Sequence, residues 1–425
     1  MLDIKWIRQN QEVVQAIADQ KRIAVSIPQL VQCDDKRRML LLEIEQLRQE
    51  RNVLIQEIND LIRQNQLENL EQKKQNVKEI NSRLTTIENE HKEVEAKYQH
   101  LMMYVPNVVS PGTPRGLSDK DNVEIKTVGV PTHFNFEPKD HVTLGQLHNM
   151  IDIPRGVKTA GSRNYYLTGV GAALHRAVQQ LALDVLVGKG FQQLEVPLMV
   201  RTKTLFNTGF FPLGQDQTYP MAEDDKWLVG TSEVPLVSYY DNEIVDVTEP
   251  IKLTAASLCF RNEVGSAGKD VHGLYRVHQF SKVEQVIICE DSLEQSEQLL
   301  EEITANAEKI LQMLELPYRV MAVCTGDMSQ KTYKQYDIET WMPSRQAYGE
   351  THSSSNLLDF QARRSNIRYR DANGKARYCY TLNNTAVASP RILIPLLENH
   401  QEKDGSITIP QALRKYMNGL ESLQL

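Results

Sequence analysis

The apolar positions of the first hundred residues step by three and four. Ile4, Ile7, Val13, Val14 and Ile17 predict a short amphipathic helix over 3–20. A longer series follows at Leu40, Ile44, Leu47, Leu54, Ile58 and Leu61, with Arg51 filling one place in the seam. After a polar break at Asn65–Asn69, a second series runs Val77, Ile80, Leu84, Ile87, His91, Val94, Tyr98 and Leu101. Two heptad seams joined by so short a turn predict an antiparallel helical hairpin, an arm over about 36–103. At 1.5 Å per residue, helices of about 30 residues make it roughly 45 Å long.

Val105-Pro106-Asn107 stops the second helix, and Ser110-Pro-Gly-Thr-Pro-Arg-Gly116 reads as a linker. The expected division is therefore 1–104 for an N-terminal domain and 105–425 for a larger body. In the body, Gly169 to Gly190 carries apolar residues at helical spacing, and 191–197 is strand-like up to Pro197. Short β-like runs follow at 227–229, 254–260, 275–289, 318–324, 336–342 and 377–383. Helical patterns intervene at 291–316 and 387–399. Clustered strands with few βαβ alternations predict an α+β body, an antiparallel sheet flanked by helices.

Composition adds limits. The net charge is -7, so no global basic field argues for nucleic acid. From Lys36 to Met103 there are 12 Lys/Arg against 12 Asp/Glu, so a nucleic-acid partner would need a local basic surface. Arg48, Arg51, Arg63, Lys73, Lys74, Lys78 and Arg83 lean towards the tip, though a solvated spacer or dimer strut carries such charges too. The five cysteines are scattered without a C-x-x-C pair, which fits reduced thiols in a cytosolic protein and argues against structural zinc. No apolar run has the length of a spanning helix and no signal peptide is visible, so no membrane is expected. Neither G-x-x-x-x-G-K-[ST] nor G-x-G-x-x-G occurs.

The stretch 260–285 concentrates candidate chemistry. It reads as strand, glycine-broken loop, strand, with Arg261 and Glu263 two apart and therefore expected on one strand face. Phe280 and Glu284 lie on the return strand. An arginine, two carboxylates and an aromatic ring fit an anionic nucleotide, and equally fit a surface hairpin with solvated charges.

The order of several motifs decides between them. Thr231-Ser232-Glu233, Phe260-Arg261-x-Glu263-x-Gly-Ser-Ala-Gly, Gly273-Leu-x-Arg276-x-His-Gln-Phe280-x-Lys-Val-Glu284 and Cys-Thr325-Gly-Asp327 come first. Asp359-Phe-Gln-Ala-Arg-Arg364, Thr381-Leu-Asn383-Asn-Thr385 through Arg391, and Leu397-Glu-Asn-His-Gln401 follow. The chain resembles the seryl-tRNA synthetases over its full length, arm included. The resemblance implies a class II synthetase fold, with motif 1 ending at Pro197, motif 2 in the 260–285 stretch, motif 3 at Leu382–Asn399, and a homodimer formed through motif 1.

The activity implied is that of a serine–tRNA ligase: serine and ATP give seryl-adenylate, and the seryl group passes to the terminal adenosine of serine tRNA, with selenocysteine tRNA as a possible second acceptor. By resemblance, Arg261 and Arg391 are the catalytic pair, holding the α- and γ-phosphates; permanently charged guanidinium suits both. The ATP set is Arg261, Asn262, Glu263, Arg276, Val277, Phe280, Glu350, Thr351, His352, Ser353 and Arg391, with Phe280 stacked on adenine and Glu263 accepting from its amino group. Glu350 and Ser353 match the metal positions, and Mg²⁺ suits such hard oxygen ligands. The serine set is Thr231, Ser232, Glu233, Arg261, Glu284, Asn383 and Thr385. Buried groups that bond the serine hydroxyl would reject alanine, because alanine leaves them unpaired. Which of Glu233 and Glu284 takes the ammonium stays open. The arm would follow the long variable arm of serine tRNA by shape and phosphate contact. The implied compartment is the cytoplasm.

Some positions depart from the family pattern. Asn383-Asn-Thr-Ala386 stands where many members have Asn-Gly-Ser-Gly, and Gly349 precedes Glu350 where many have Arg. A rarer zinc-dependent form uses a cysteine ligand, and the motifs here do not match it. Two other readings keep the fold and change the job: a coiled-coil scaffold on a retired synthetase body, and a ligase that passes its adenylate to a carrier protein. Residues 264–275 are expected to be mobile and to order against ATP or the tRNA end.

Overall fold

The computed structural model describes residues 1–66, 69–265 and 272–425. It has two compact units. One holds Leu2–Asp19 with Ile23–Val105; the other holds Met1, Gln20–Arg22 and Pro106–Leu425.

The smaller unit begins with two short helices, α1 (Ile4–Gln9) and α2 (Gln11–Gln20), where one was expected. The break falls at Asn10, which caps α1. Ile7 and Val14 are buried, but Val13 is 52% exposed, so it is not an inward position. The hairpin is α3 (Ile27–Arg63) and α4 (Leu70–Tyr104). α3 starts well before residue 36 because Ser26 caps it, accepting from Gln29 N–H, with Pro28 in the first turn. Leu40, Ile44, Leu47, Ile80, Leu84 and Ile87 form its seam, flanked by Leu54 and Val94. Ion pairs cross between the helices, among them Arg37–Glu95 at 3.1 Å, Arg48–Glu88 at 2.7 Å and Arg83–Glu43 at 2.5 Å. Exposed pairs contribute about 0–1 kcal/mol each, and a buried Leu or Ile about 1.5–3, so the seam carries the hairpin. Arg51 Nε and His91 Nε2 are buried there without a hydrogen-bond partner among the described residues.

The larger unit is built on an eight-stranded sheet. Its strands are β1 (Val123–Val128), β2 (Gln192–Gln193), β3 (Ile251–Phe260), β4 (Gln279–Cys289), β5 (Tyr318–Ala322), β6 (Lys334–Met342), β7 (Ala347–Asn356) and β8 (Tyr380–Ser389). Their spatial order is β1-β5-β6-β7-β8-β4-β3-β2. All pairs are antiparallel except β2 with β3. Helices α5 (Gly169–Gly188) and α6 (Leu293–Met313) pack their apolar stripes on the sheet; Leu174, Leu181, Leu300, Ile303 and Ile310 are at most 1% exposed.

Three sequence expectations shift. Residues 387–389 belong to β8, and the helix expected over 387–399 is only Leu393–Asn399. Pro390 separates them, since it cannot donate to either ladder. The run 377–383 splits into a short strand Ala376–Tyr378 and the start of β8. Of 191–197, only Gln192 and Gln193 pair, with Leu253 and Thr254. Among the described residues no helix is long and apolar enough to cross a membrane.

Candidate active site

Strand alternation builds the floor of the main cavity. Phe280, Lys282 and Glu284 are two apart on β4 and share a face. Opposite them, Glu284 pairs with Thr385 and Lys282 with Ala388; a bulge at Ala386 restores the phase between these pairs. Asn383, two before Thr385, lies on the same face. A second bulge acts on β7. Ser353 pairs with Asp337 and Glu350 with Glu339, with Thr351 as the extra residue. Three residues apart on a regular strand would put Glu350 and Ser353 on opposite faces; the bulge brings both to the face of Asp337 and Glu339.

The cavity, of about 310 Å³, is lined by Thr231, Glu233, Arg261, Glu263, Val277, Phe280, Glu284, Glu350, Thr351, His352, Ser353, Asn383, Thr385 and Arg391. Three expected site residues do not line it. Ser232 is fully buried at the start of a short helix, and its Oγ has no partner among the described residues. Asn262 donates to the Asp216 carbonyl at 3.3 Å, and Arg276 pairs with Glu263 at 3.2 Å.

Arg261 and Glu263 reach the cavity by a different route from strand alternation, because β3 ends at Phe260. Glu263 has φ +50, an uncommon conformation for a non-glycine residue. Arg163 donates to its carbonyl at 2.6 Å. The Arg261 guanidinium lies 5.2 Å from the Phe280 ring centre, and its Nε donates to the Gly230 carbonyl at 3.2 Å. Arg391 donates to the carbonyls of Tyr275 at 3.0 Å and Glu350 at 3.2 Å. The Tyr275 ring also packs against Arg391 and Arg345, at 4.5 and 4.0 Å.

The other end of the cavity is a buried polar cluster. Glu233 Oε1 accepts from Lys331 Nζ at 2.5 Å, Gln361 Nε2 at 2.7 Å and Asn383 Nδ2 at 2.9 Å. Lys282 pairs with Glu284 at 2.6 Å. Burial raises the Glu284 carboxyl above the usual range; Lys282 opposes this and the Glu233 charge adds to it. Burial likewise lowers the Lys331 ammonium, against the pull of Glu233. His352 is held neutral by burial, its pKa lowered to about 3, so it brings no positive charge to a phosphate.

Comparison with known proteins places this geometry. Residues 1–109 match the Seryl-tRNA synthetase N-terminal domain, and residues 219–400 match the tRNA synthetase class II core domain (G, H, P, S and T). A serine--tRNA ligase of Deinococcus radiodurans is 42% identical over 424 residues, covering 100% of this chain and 99% of its own. This chain belongs to the seryl-tRNA synthetase family. A solved family member, the seryl-tRNA synthetase of Pyrococcus horikoshii complexed with ATP, has a TM-score of 0.90 at 37% identity, covering 100% of this chain and 99% of that one. The cytoplasmic serine-tRNA ligase of Naegleria fowleri in complex with AMP has a TM-score of 0.85 at 26% identity, with the same coverage. The antiparallel sheet, the flanking helices and the helical hairpin expected of the family are all present.

The family's metal can be tested against the residues present. Glu350 and Ser353 offer a carboxylate and a hydroxyl on one sheet face, beside the half-buried Asp337. Burial first, and then the Glu350 charge, push the Asp337 carboxyl up to about 8. Crowded hard oxygens of this kind fit Mg²⁺. Among the described residues no three His, Cys, Asp or Glu groups stand together as a metal cage.

Sequence reasoning passed over Lys282, Lys331 and Gln361. Lys282 was legible, since it stands at period two between Phe280 and Glu284. Gln361 sits within the Asp359–Arg364 motif, and only the fold brings it to Glu233. The loop expected to be mobile falls partly on 266–271, which lie outside the described residues.

Proposed function

We propose that this chain joins L-serine to ATP, giving seryl-adenylate and pyrophosphate, and then transfers the seryl group to the 3′-terminal adenosine of serine tRNA. The observation that carries this reading is the continuity of one cavity from the buried Glu233, Glu284, Asn383 and Thr385 to Arg261 and Arg391. In the first step a serine carboxylate oxygen bonds to the α-phosphorus as the bond to the β-phosphate bridge breaks. Arg261 holds the α-phosphate and Arg391 the γ-phosphate, so positioning and charge neutralisation carry the rate. Phe280 and Glu263 receive adenine. Glu350 and Ser353 would hold Mg²⁺, which would supply positive charge against the pyrophosphate. Polar groups around Glu233, Glu284 and Thr385 select the serine hydroxyl.

Residues 1–104 are assigned to tRNA, with the α3–α4 hairpin as the reaching arm, and 105–425 to catalysis. A homodimer through the motif 1 region and a cytoplasmic setting complete the proposal. The test is aminoacylation with labelled serine and serine tRNA. Charging of that tRNA with serine is the expected result; no charging, with serine or any other amino acid, overturns it.

A further inference from the structure

Lys331 belongs to no recognised motif of the sequence, yet it enters the amino-acid end of the cavity. Its loop is pinned from behind. The buried Lys21 donates to the carbonyls of Ser329, Gln330 and Thr332 at 3.2, 3.3 and 2.6 Å. Asn107 Nδ2 donates to the Lys331 carbonyl at 3.0 Å, and Asn107 N–H to that of Gln330 at 2.9 Å. From this fixed backbone the Lys331 side chain passes Phe210, with Nζ 4.2 Å from the ring centre, and ends on Glu233.

The charge balance gives this contact its meaning. Among the described residues, charged groups close to Glu233 include Lys331 from its loop and Glu284 with Lys282 from β4, and Arg261 lines the same cavity; Gln361 and Asn383 are uncharged neighbours. Each of the two buried carboxylates thus has a buried lysine beside it. Two carboxylates with a single lysine would not both stay ionised, because like charges out of water raise one another's proton affinity. A substrate ammonium binds an ionised carboxylate far better than a protonated one.

We propose that Lys331 is a positioning residue for the amino-acid substrate: it keeps Glu233 ionised and fixed, so that serine binds without displacing a proton from the pocket. This rests on the reading of the cavity as a serine site. The step conserves protons. With Lys331 present, serine enters as the zwitterion and nothing leaves; without it, the proton taken up by the Glu233–Glu284 pair passes to solvent as the ammonium arrives.

The experiment measures serine-dependent ATP–pyrophosphate exchange with Mg²⁺ on the full chain, from pH 6 to 9, for wild type, Lys331→Gln, Lys331→Met and Lys331→Arg. Absence of serine-dependent exchange in wild type would defeat the functional reading itself. Given wild-type exchange, KM for serine is expected to be flat across the lower part of this range. In Lys331→Gln it should rise by about tenfold per pH unit below the pKa of the carboxylate pair, with KM for ATP unmoved. Gln keeps the stem packing and a donor to Glu233, so it separates charge from structure even where Lys331→Met fails to fold. Lys331→Arg should restore the flat profile. Calorimetric titration with serine, in two buffers of different ionisation enthalpy, should read proton release in Lys331→Gln and none in wild type. A Lys331→Gln profile parallel to wild type, or no proton release, overturns the proposal.

Discussion

His141 ties the helix Leu393–Asn399 to the segment that follows the 260–265 stretch: its Nδ1 lies 2.9 Å from Glu398 Oε1, and its Nε2 accepts from Leu274 N–H at 3.2 Å. The backbone donor at Nε2 places the ring proton on Nδ1, facing the carboxylate. Glu398 is fully buried and also accepts from His141 N–H at 3.0 Å and from Ser344 N–H and Oγ–H, both at 2.9 Å. One buried carboxylate thus gathers three segments beside the side of the cavity lined by Leu274, Tyr275 and Arg391.

Gly273 sits against this joint with φ +68, and a Cβ there would stand 2.0 Å from His141 Nε2. Gly273→Ala is therefore expected to push the ring from its place and strain the backbone, costing about 1–3 kcal/mol of stability. The loop foot carries Leu274 and Tyr275, both of which line the cavity, so KM for ATP should rise more than KM for serine. Thermal melting and pyrophosphate exchange on the same preparation check this. Equal effects on both substrates would mean that the joint does not serve the nucleotide end.

Arg391→Ala removes a guanidinium held by the Tyr275 and Glu350 carbonyls and packed on the Tyr275 ring. If it holds the γ-phosphate, KM for ATP should rise by about 10- to 100-fold, on the order of 1.4–3 kcal/mol. Lysine should not restore it, because the stacked, forked geometry belongs to guanidinium. Steady-state ATP titrations decide; unchanged ATP dependence would remove the role.

Asp337 gives a prediction in pH. Its folded carboxyl is pushed up to about 8, mainly by burial and then by Glu350. A raised acid binds its proton more tightly when folded, so the folded state holds more protons than the unfolded one between the two pKa values. Stability from this group is therefore present at low pH and lost as pH rises towards 8. Asp337→Asn should abolish that loss. Melting of nucleotide-free, Mg²⁺-free protein should show the variant gaining on wild type from pH 5 to pH 8, and a constant difference would count against the shift.

Much of this was legible in the residues, for identifiable reasons. The arm declared itself because Leu40, Ile44, Leu47, Ile80, Leu84 and Ile87 keep helical spacing with no Pro or Gly among them. Phe280 and Glu284 share a face by simple strand alternation. What failed needed backbone irregularity or distant contacts. Period two cannot foresee the bulges at Thr351 and Ala386, which decide which side chains face the cavity. The same rule paired Arg261 with Glu263 by the wrong argument, since Glu263 sits past the strand end at positive φ. Lys331 and Gln361 meet Glu233 across 98 and 128 residues of chain, which no local pattern encodes.

The arm gives the last prediction. Arg37 lies 4.5 Å from the Tyr98 ring centre and pairs with Glu95 at 3.1 Å, while Tyr98 and Met102 are 7% and 2% exposed. The base of the hairpin is thus packed, and a deletion of the whole span 36–103 would cut into it. Replacing 41–91 by a short Gly-Ser turn keeps Arg37, Glu95 and Tyr98 and removes most of the apolar seam. Serine-dependent pyrophosphate exchange should then stay near wild type, because every cavity residue lies beyond 200. Charging of serine tRNA should fall by at least about 100-fold, as expected for lost phosphate and shape contacts worth about 3 kcal/mol. The residual charging should also lose salt dependence, since fewer counterions are released on binding. Charging at the wild-type rate would reduce the arm to a strut, whatever its basic side chains imply.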